Sequence, residues 1–273
     1  MGPSDALHPL DAALRLEPLA EGRYGGHTHP AWANMVGPFG GITAAQLLQA
    51  ICVDPRRQGE PLALTINYAG AVADGAFEVE AHPVRTTRTT QHWTLALRQG
   101  DALCSTGTAV FAVRRPTWSA PELAMPAVPP ADQVPAETRS PPVEWPRRYE
   151  FRFVHGGWPD YRQAQEQADS RTLLWVRDEP PRPLDAPALA AIADVFYPRV
   201  FRRRGRFSPA GTVSITTYFH ADAAALAAQG ARPLLATAVG RRFTQGFFDQ
   251  SAELWSDDGH LLASSHQVVY FKA

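Results

Sequence analysis

The chain has 273 residues, enough for one large domain or two of ordinary size, and 45% of them are hydrophobic, so a real core can form. Its 26 Lys and Arg side chains against 27 Asp and Glu give a net charge of −1, which removes the long-range field that would draw it to nucleic acid or an anionic membrane surface. Any anionic ligand must therefore be held by a local patch. Cys52 and Cys104 sit in apolar runs without partners at metal-ligand spacing, which argues against a zinc site and against a disulfide framework. Met1–Leu16 has no basic region followed by an apolar stretch, and no later run is long and apolar enough for a bilayer, so a cytoplasmic protein is expected.

In chain order, the first half predicts a helix over Gly41–Val53 and then β-rich runs at Leu62–Gly70, Phe77–Arg85, Gln91–Gln99 and Ala102–Arg114. Between Pro116 and Pro146 stand nine prolines, which fix φ and remove backbone donors, so this stretch reads as a connection without regular structure. The second half predicts an apolar helix at about Ala186–Phe196 and runs at Thr212–His220, Leu234–Arg242, Phe247–Trp255 and His260–Lys272. The expected organisation is thus an N-terminal domain (1–115), a proline-rich linker (116–146) and a C-terminal domain (147–273).

Order and spacing repeat across the linker. The hairpin Leu95 to Phe111 matches Leu254 to Tyr270, with Cys104 opposite Ala263 and Thr108 opposite Gln267, and each has a turn containing Asp and Gly. Paired hairpins after paired buried helices indicate internal duplication. Ile42, Leu47, Leu48 and Ile51 in one helix, and Leu189, Ile192 and Val195 in the other, leave little polar face, so each helix should be wrapped by a sheet. The expected fold is α+β: a double hotdog, with two antiparallel sheets each wrapping a long apolar helix and together forming a pseudo-dimer.

Phe39-Gly40-Gly41 before Ile42-Thr43-Ala44-Ala45-Gln46 resembles the entry to the first central helix of the acyl-CoA thioesterase II family. Ala193-Asp194 resembles that family's catalytic aspartate. Thr212 to His220 is similar to its Thr-containing strand closing in Phe-His, and Leu262 to Gln267 to its Val-Ala-Ser-x-x-Gln segment. The chain departs from the pattern where Ile215 and Thr216 stand near the family's Asp-His pair, and in its long linker. The resemblance implies an acyl-CoA substrate, no cofactor or metal, one water held by Asp194, Thr212 and Gln267, and assembly into homo-oligomers as an open question.

A thioester carbonyl needs a nucleophile and a stabilised oxyanion. Asp194 would take the water's proton while Thr212 and Gln267, each able to donate and accept, fix its position. Desolvation on an apolar helix should raise the Asp194 pKa toward the useful range. The blander alternative is a buried carboxylate satisfied by backbone or by Arg199 or Arg202. Gly40 and Gly41 offer close backbone approach and helix N-terminal N–H groups to a developing negative charge, or else a plain tight turn. Within the run Arg202-Arg203-Arg204-Gly205-Arg206, Arg202 and Arg203 are candidates for CoA phosphates, against the reading of a solvated loop after a helix.

His27, His29 and His155 lack the spacing of a metal site, and Trp32 and Trp158 read as core or pocket walls. No Gly-x-Ser-x-Gly elbow or phosphate-binding loop is present. Two other functions stay open on the same fold: hydration or dehydration of an acyl-CoA, disfavoured because no histidine follows closely after Asp194, and non-catalytic acyl-CoA binding, which would not need Asp194. The first half has Thr108 and Gln46 but no acidic helix residue, so one site per chain is expected.

Overall fold

A computed structural model of the chain describes residues 7–161 and 165–272; the outermost residues of both expected domains lie outside this range. The first half runs α1 (Pro9–Ala13), β1 (Glu17–Ala20), β2 (Arg23–His27), α2 (Gly40–Cys52), β3 (Glu60–Tyr68), β4 (Ala76–Thr86), β5 (Thr90–Gln99) and β6 (Ala102–Ala112). The second runs β7 (Tyr149–His155), β8 (Thr172–Asp178), α3 (Ala186–Ile192), α4 (Arg199–Arg204), β9 (Ala210–Phe219), α5 (Ala223–Gln229), β10 (Leu234–Val239), β11 (Phe243–Thr244), β12 (Phe247–Trp255) and β13 (Leu261–Phe271).

The strands form one antiparallel sheet, ordered β1-β2-β4-β5-β6-β3-β9-β13-β12-β10-β8-β7, with β11 attached to β12. Counted inward from either edge, the order is the same: β1, β2, β4, β5, β6, β3 on one side and β7, β8, β10, β12, β13, β9 on the other. The duplication read from the hairpins therefore extends to the whole topology. The two sheets expected from sequence are joined into one. Strands β3 and β9, which would each end a separate sheet, pair from Ala63↔Tyr218 to Asn67↔Ser214, with the Thr65 and Thr216 hydroxyls 3.0 Å apart. That pairing satisfies two rows of backbone groups that an open edge would leave exposed.

Helix α2 is buried on nearly every side and lies against β4, β5 and α3. Burying Ile42, Leu47, Leu48 and Ile51 contributes roughly 1.5–3 kcal/mol each. The second central helix is shorter than expected. It starts at an N-cap, Asp185 Oδ1 accepting from the Ala188 N–H at 2.9 Å, but stops at Ile192 instead of reaching Phe196.

The proline-rich stretch carries only short 3-10 turns among the described residues, at Ala131–Gln133 and, where it ends, at Trp145–Arg148. It is nevertheless packed. The Trp175 indole donates to the Pro129 carbonyl at 2.9 Å, and Trp145 stacks on Phe39, the residue preceding α2, with ring centroids 4.3 Å apart. One large apolar cluster runs through both halves, drawing on α2, α3 and strands from each.

Candidate active site

Asp194 lies in the turn just after α3, where its N–H reaches the Ala191 carbonyl at 3.1 Å. Next to it, the Ala193 carbonyl accepts from Ser265 Oγ at 3.3 Å, which ties the turn to β13. The Asp194 side chain is only 7% exposed. Gln267, on the same strand, donates from Nε2 to Asp194 Oδ1 at 2.7 Å, and Thr212 Oγ1 on β9 stands 3.4 Å from Gln267 Oε1. The structure thus brings the three residues expected from sequence into one chain of polar contacts, hydroxyl to amide to carboxylate.

A β-bulge helps to set this geometry. Val268 pairs with Ser214 and Val269 with Thr212, so Val213 is looped out, and the bulge re-aims Thr212 relative to the regular ladder. The first half has the same irregularity, Pro61 pairing with Phe111 and Ala63 with Val110.

The remaining contacts of Asp194 come from the first half. The backbone of Gly41 helps to pull the Asp194 pKa down, and a Cβ on Gly40 would sit 2.8 Å from Asp194 Oδ2. The opening turn of α2 is therefore aimed at the second-half aspartate, and only glycine permits that approach. Burial pushes the Asp194 pKa up to about 7, against the hydrogen bonds from Gln267 and Gly41, which pull it down. Arg199 does not pair with it. That guanidinium is fully buried elsewhere, bonded to the Tyr197 and Ser170 carbonyls and to Thr172 Oγ1.

Tyr68 was not anticipated. Its hydroxyl donates to the Gly40 carbonyl at 2.7 Å, and burial together with the Asp194 charge holds its pKa well above the ordinary phenol value. Tyrosine at the end of a strand gives no sequence signal of such a role. It becomes visible only once β3 is placed beside α2.

The two candidate arginines part company. Arg202 Nη2 contacts His155 Nε2 at 3.0 Å and lines a cleft beside Trp158. Arg203 Nη1 donates to the Gln167 carbonyl and lines a different, larger cleft. Of the other residues singled out, His29 Nδ1 accepts from the Ala31 N–H, Trp32 is core, and Trp158 packs edge-on to Trp145 and Phe151.

The anticipated match of Thr108 to Gln267 shifts by one residue. Leu97 pairs with Ser105 just past a bulge, as Leu254 pairs with Ala263 just past another, so Ser105 corresponds to Ala263 and Ala109 to Gln267. By the same register Pro61, paired with Phe111, corresponds to Thr212, paired with Val269. Alanine and proline side chains cannot supply the amide and hydroxyl, so the first half holds no copy of this hydrogen-bonded chain.

The arrangement of a buried carboxylate, an amide and a hydroxyl suits thioester hydrolysis, and family matches over both halves identify the chain as a thioester hydrolase. A model of the acyl-CoA thioesterase N-terminal domain matches residues 28–112, and one of the acyl-CoA thioesterase C-terminal domain matches residues 124–271. The chain belongs to the acyl-CoA thioesterase family.

Among solved structures, a hotdog-fold conserved protein of unknown function from Alicyclobacillus acidocaldarius is 44% identical, with a TM-score of 0.93 over 98% of this chain and 99% of that one. The acyl-CoA thioesterase II TesB2 from Mycobacterium marinum shares the fold at 20% identity, TM-score 0.73, covering 96% of this chain and 98% of that one. The tesB protein of Mycobacterium avium subsp. paratuberculosis does so at 19% identity and TM-score 0.77, covering 97% and 98%. No curated protein matches the sequence. Among the described residues, no helix is long and apolar enough to cross a membrane.

Proposed function

We propose that the chain hydrolyses acyl-CoA to the free acid and CoA with a water activated by Asp194, its two domains (1–115 and 147–273, joined by 116–146) acting as a pseudo-dimer around one site. The observation that carries this reading is the buried Asp194 carboxylate, raised to about 7 and held by an amide that Thr212 approaches in turn. A carboxylate of that pKa is ionised often enough near neutrality to act, and basic enough to accept a proton.

Asp194 takes a proton from the water, whose oxygen forms the new bond to the thioester carbonyl carbon. Thr212 and Gln267 orient that water. The negative charge gathered on the carbonyl oxygen faces the N-terminal end of α2 at Gly40 and Gly41, where the helix dipole favours it. Collapse breaks the C–S bond, and the departing thiolate recovers the proton from Asp194. Of the two candidate arginines, which line separate clefts, Arg203 is assigned to the CoA phosphates, and the reaction to the cytoplasm.

Release of free thiol from short, medium, long and aromatic acyl-CoAs, followed with a thiol reagent, tests the proposal. Turnover that is lost on Asp194→Asn supports it. Binding of acyl-CoA without turnover, unaffected by that change, would favour a carrier.

A further inference from the structure

The larger surface cleft, about 690 Å³, is lined by Arg203 and Arg204 from the end of α4, by Arg241 and Arg242 from the loop between β10 and β11, and by Phe243 and Phe271. Four arginines line the cleft beside a single acidic residue, Glu166, whose carboxylate stands 3.8 Å from Arg203. Among the described residues, Arg204, Arg241 and Arg242 have no carboxylate within ion-pair distance, and Arg204 Nη1 is buried without a hydrogen-bond partner. The loop is held in place by its backbone: the N–H groups of Arg241 and Arg242 both donate to Asp249 Oδ1, at 3.1 and 2.8 Å. Four arginines around one cleft, outnumbering its acidic lining, form a receptor for a polyanion, and guanidinium forks fit phosphate oxygens in pairs.

The cleft's position narrows the ligand. Gln267, Val269 and Phe271 share one face of β13, so the cleft wall at Phe271 lies four residues, about 14 Å, from the amide that holds Asp194. The pantetheine arm between a thioester carbon and the first phosphate of CoA is a chain of about 13 bonds, which spans on the order of 15 Å when extended. Phe243 and Phe271 add an apolar wall on which a purine ring can lie.

We infer that this cleft, through Arg203, Arg204, Arg241 and Arg242, binds the 3′-phosphorylated ADP portion of a coenzyme A thioester. Arg241 and Arg242, nearly forty residues beyond the basic run, complete a site that the run alone does not form, and Arg202 points into the other cleft. The inference rests on the hydrolase reading for its substrate, and its test separates the two.

Arg241→Ala/Arg242→Ala, on an exposed loop, is compared with wild type on acyl-CoA and on the matching acyl-pantetheine, which lacks the nucleotide. The ratio of kcat/KM on acyl-CoA to that on acyl-pantetheine is expected to fall at least ~10-fold. An unchanged ratio would overturn the inference. Calorimetric titration of wild type with adenosine 3′,5′-bisphosphate, with pyrophosphate alongside, gives a readout independent of turnover. Saturable binding of the bisphosphate, tighter than pyrophosphate and lost in the double variant, is the expected result. No binding, or equal binding of both anions, would reduce the cleft to a general anion patch and overturn the inference. If neither thioester turned over, the hydrolase reading would fall, and the titration alone would decide the cleft.

Discussion

At Asp194 a side chain is asked to be ionised in a place that opposes ionisation. With its pKa raised to about 7, kcat/KM should fall below about pH 7 by roughly tenfold per pH unit, because only the ionised form accepts a proton. Asp194→Asn should lower kcat by ~100-fold or more. The same burial has the opposite consequence for stability. A carboxyl whose folded pKa lies above its unfolded value binds more protons when folded, so the cost is absent below about pH 4, grows through the window up to about 7 and is constant above it. At pH 8 Asp194→Asn should therefore be more stable than wild type in urea unfolding by on the order of a few kcal/mol, with the difference closing near pH 4.

Asp178 supplies the control. It is also pushed up to about 7 by burial, with Oδ1 lacking a hydrogen-bond partner, but it lies opposite Tyr149 on the outer strands β7 and β8. Asp178→Asn should stabilise the protein above pH 7 without moving the acid limb of kcat/KM. A shift of that limb in the Asp178 variant would transfer the titration from Asp194 to Asp178.

Between elements, the decisive contact is the opening turn of α2 against the turn after α3. A Cβ on Gly40 would meet the Asp194 carboxylate at 2.8 Å, whereas one on Gly41 would meet the Ala191 carbonyl at 2.5 Å and the Phe39 ring at 2.5 Å. The two glycines should respond differently. Gly40→Ala displaces the carboxylate and should cost at least ~10-fold in kcat with a small change in melting temperature, since the conflict is with one side chain. Gly41→Ala forces backbone apart and should cost about 1–3 kcal/mol of stability as well, read from urea unfolding. Equal behaviour of the two variants would mean that the approach at Gly40 is ordinary packing.

For the molecule as a whole, the β3–β9 seam and a shared core couple the two halves. Unfolding should be a single cooperative transition. Calorimetric and van't Hoff enthalpies should agree, and tryptophan fluorescence, weighted by Trp93 on one side and by Trp175 and Trp255 on the other, should follow the same curve as far-UV circular dichroism. Two separated transitions would mean that the seam contributes little.

What the residues determine by themselves is local and repetitive. Alternating runs and turns containing Asp and Gly mark β3 to β6, β9, β10, β12 and β13, unbroken apolar stretches mark the two central helices, and the duplication follows from matching hairpins. The family motifs single out Asp194, Thr212 and Gln267. The outer strands escape this reading: Arg23–His27 is rich in glycine, and Thr172–Asp178 is a continuous apolar run without alternation, so neither carries a period-2 signal.

Three features belong to the tertiary structure alone. The bulges slip the register by one residue, which replaces Thr108 by Ala109 as the counterpart of Gln267 and shows that the first half lacks the polar chain. The seam converts two sheets into one. Finally, Gly40 closes on Asp194, and Arg241 lines one cleft with Arg203, because long-range pairing brings distant segments together, and spacing along a chain carries no record of distances closed by folding.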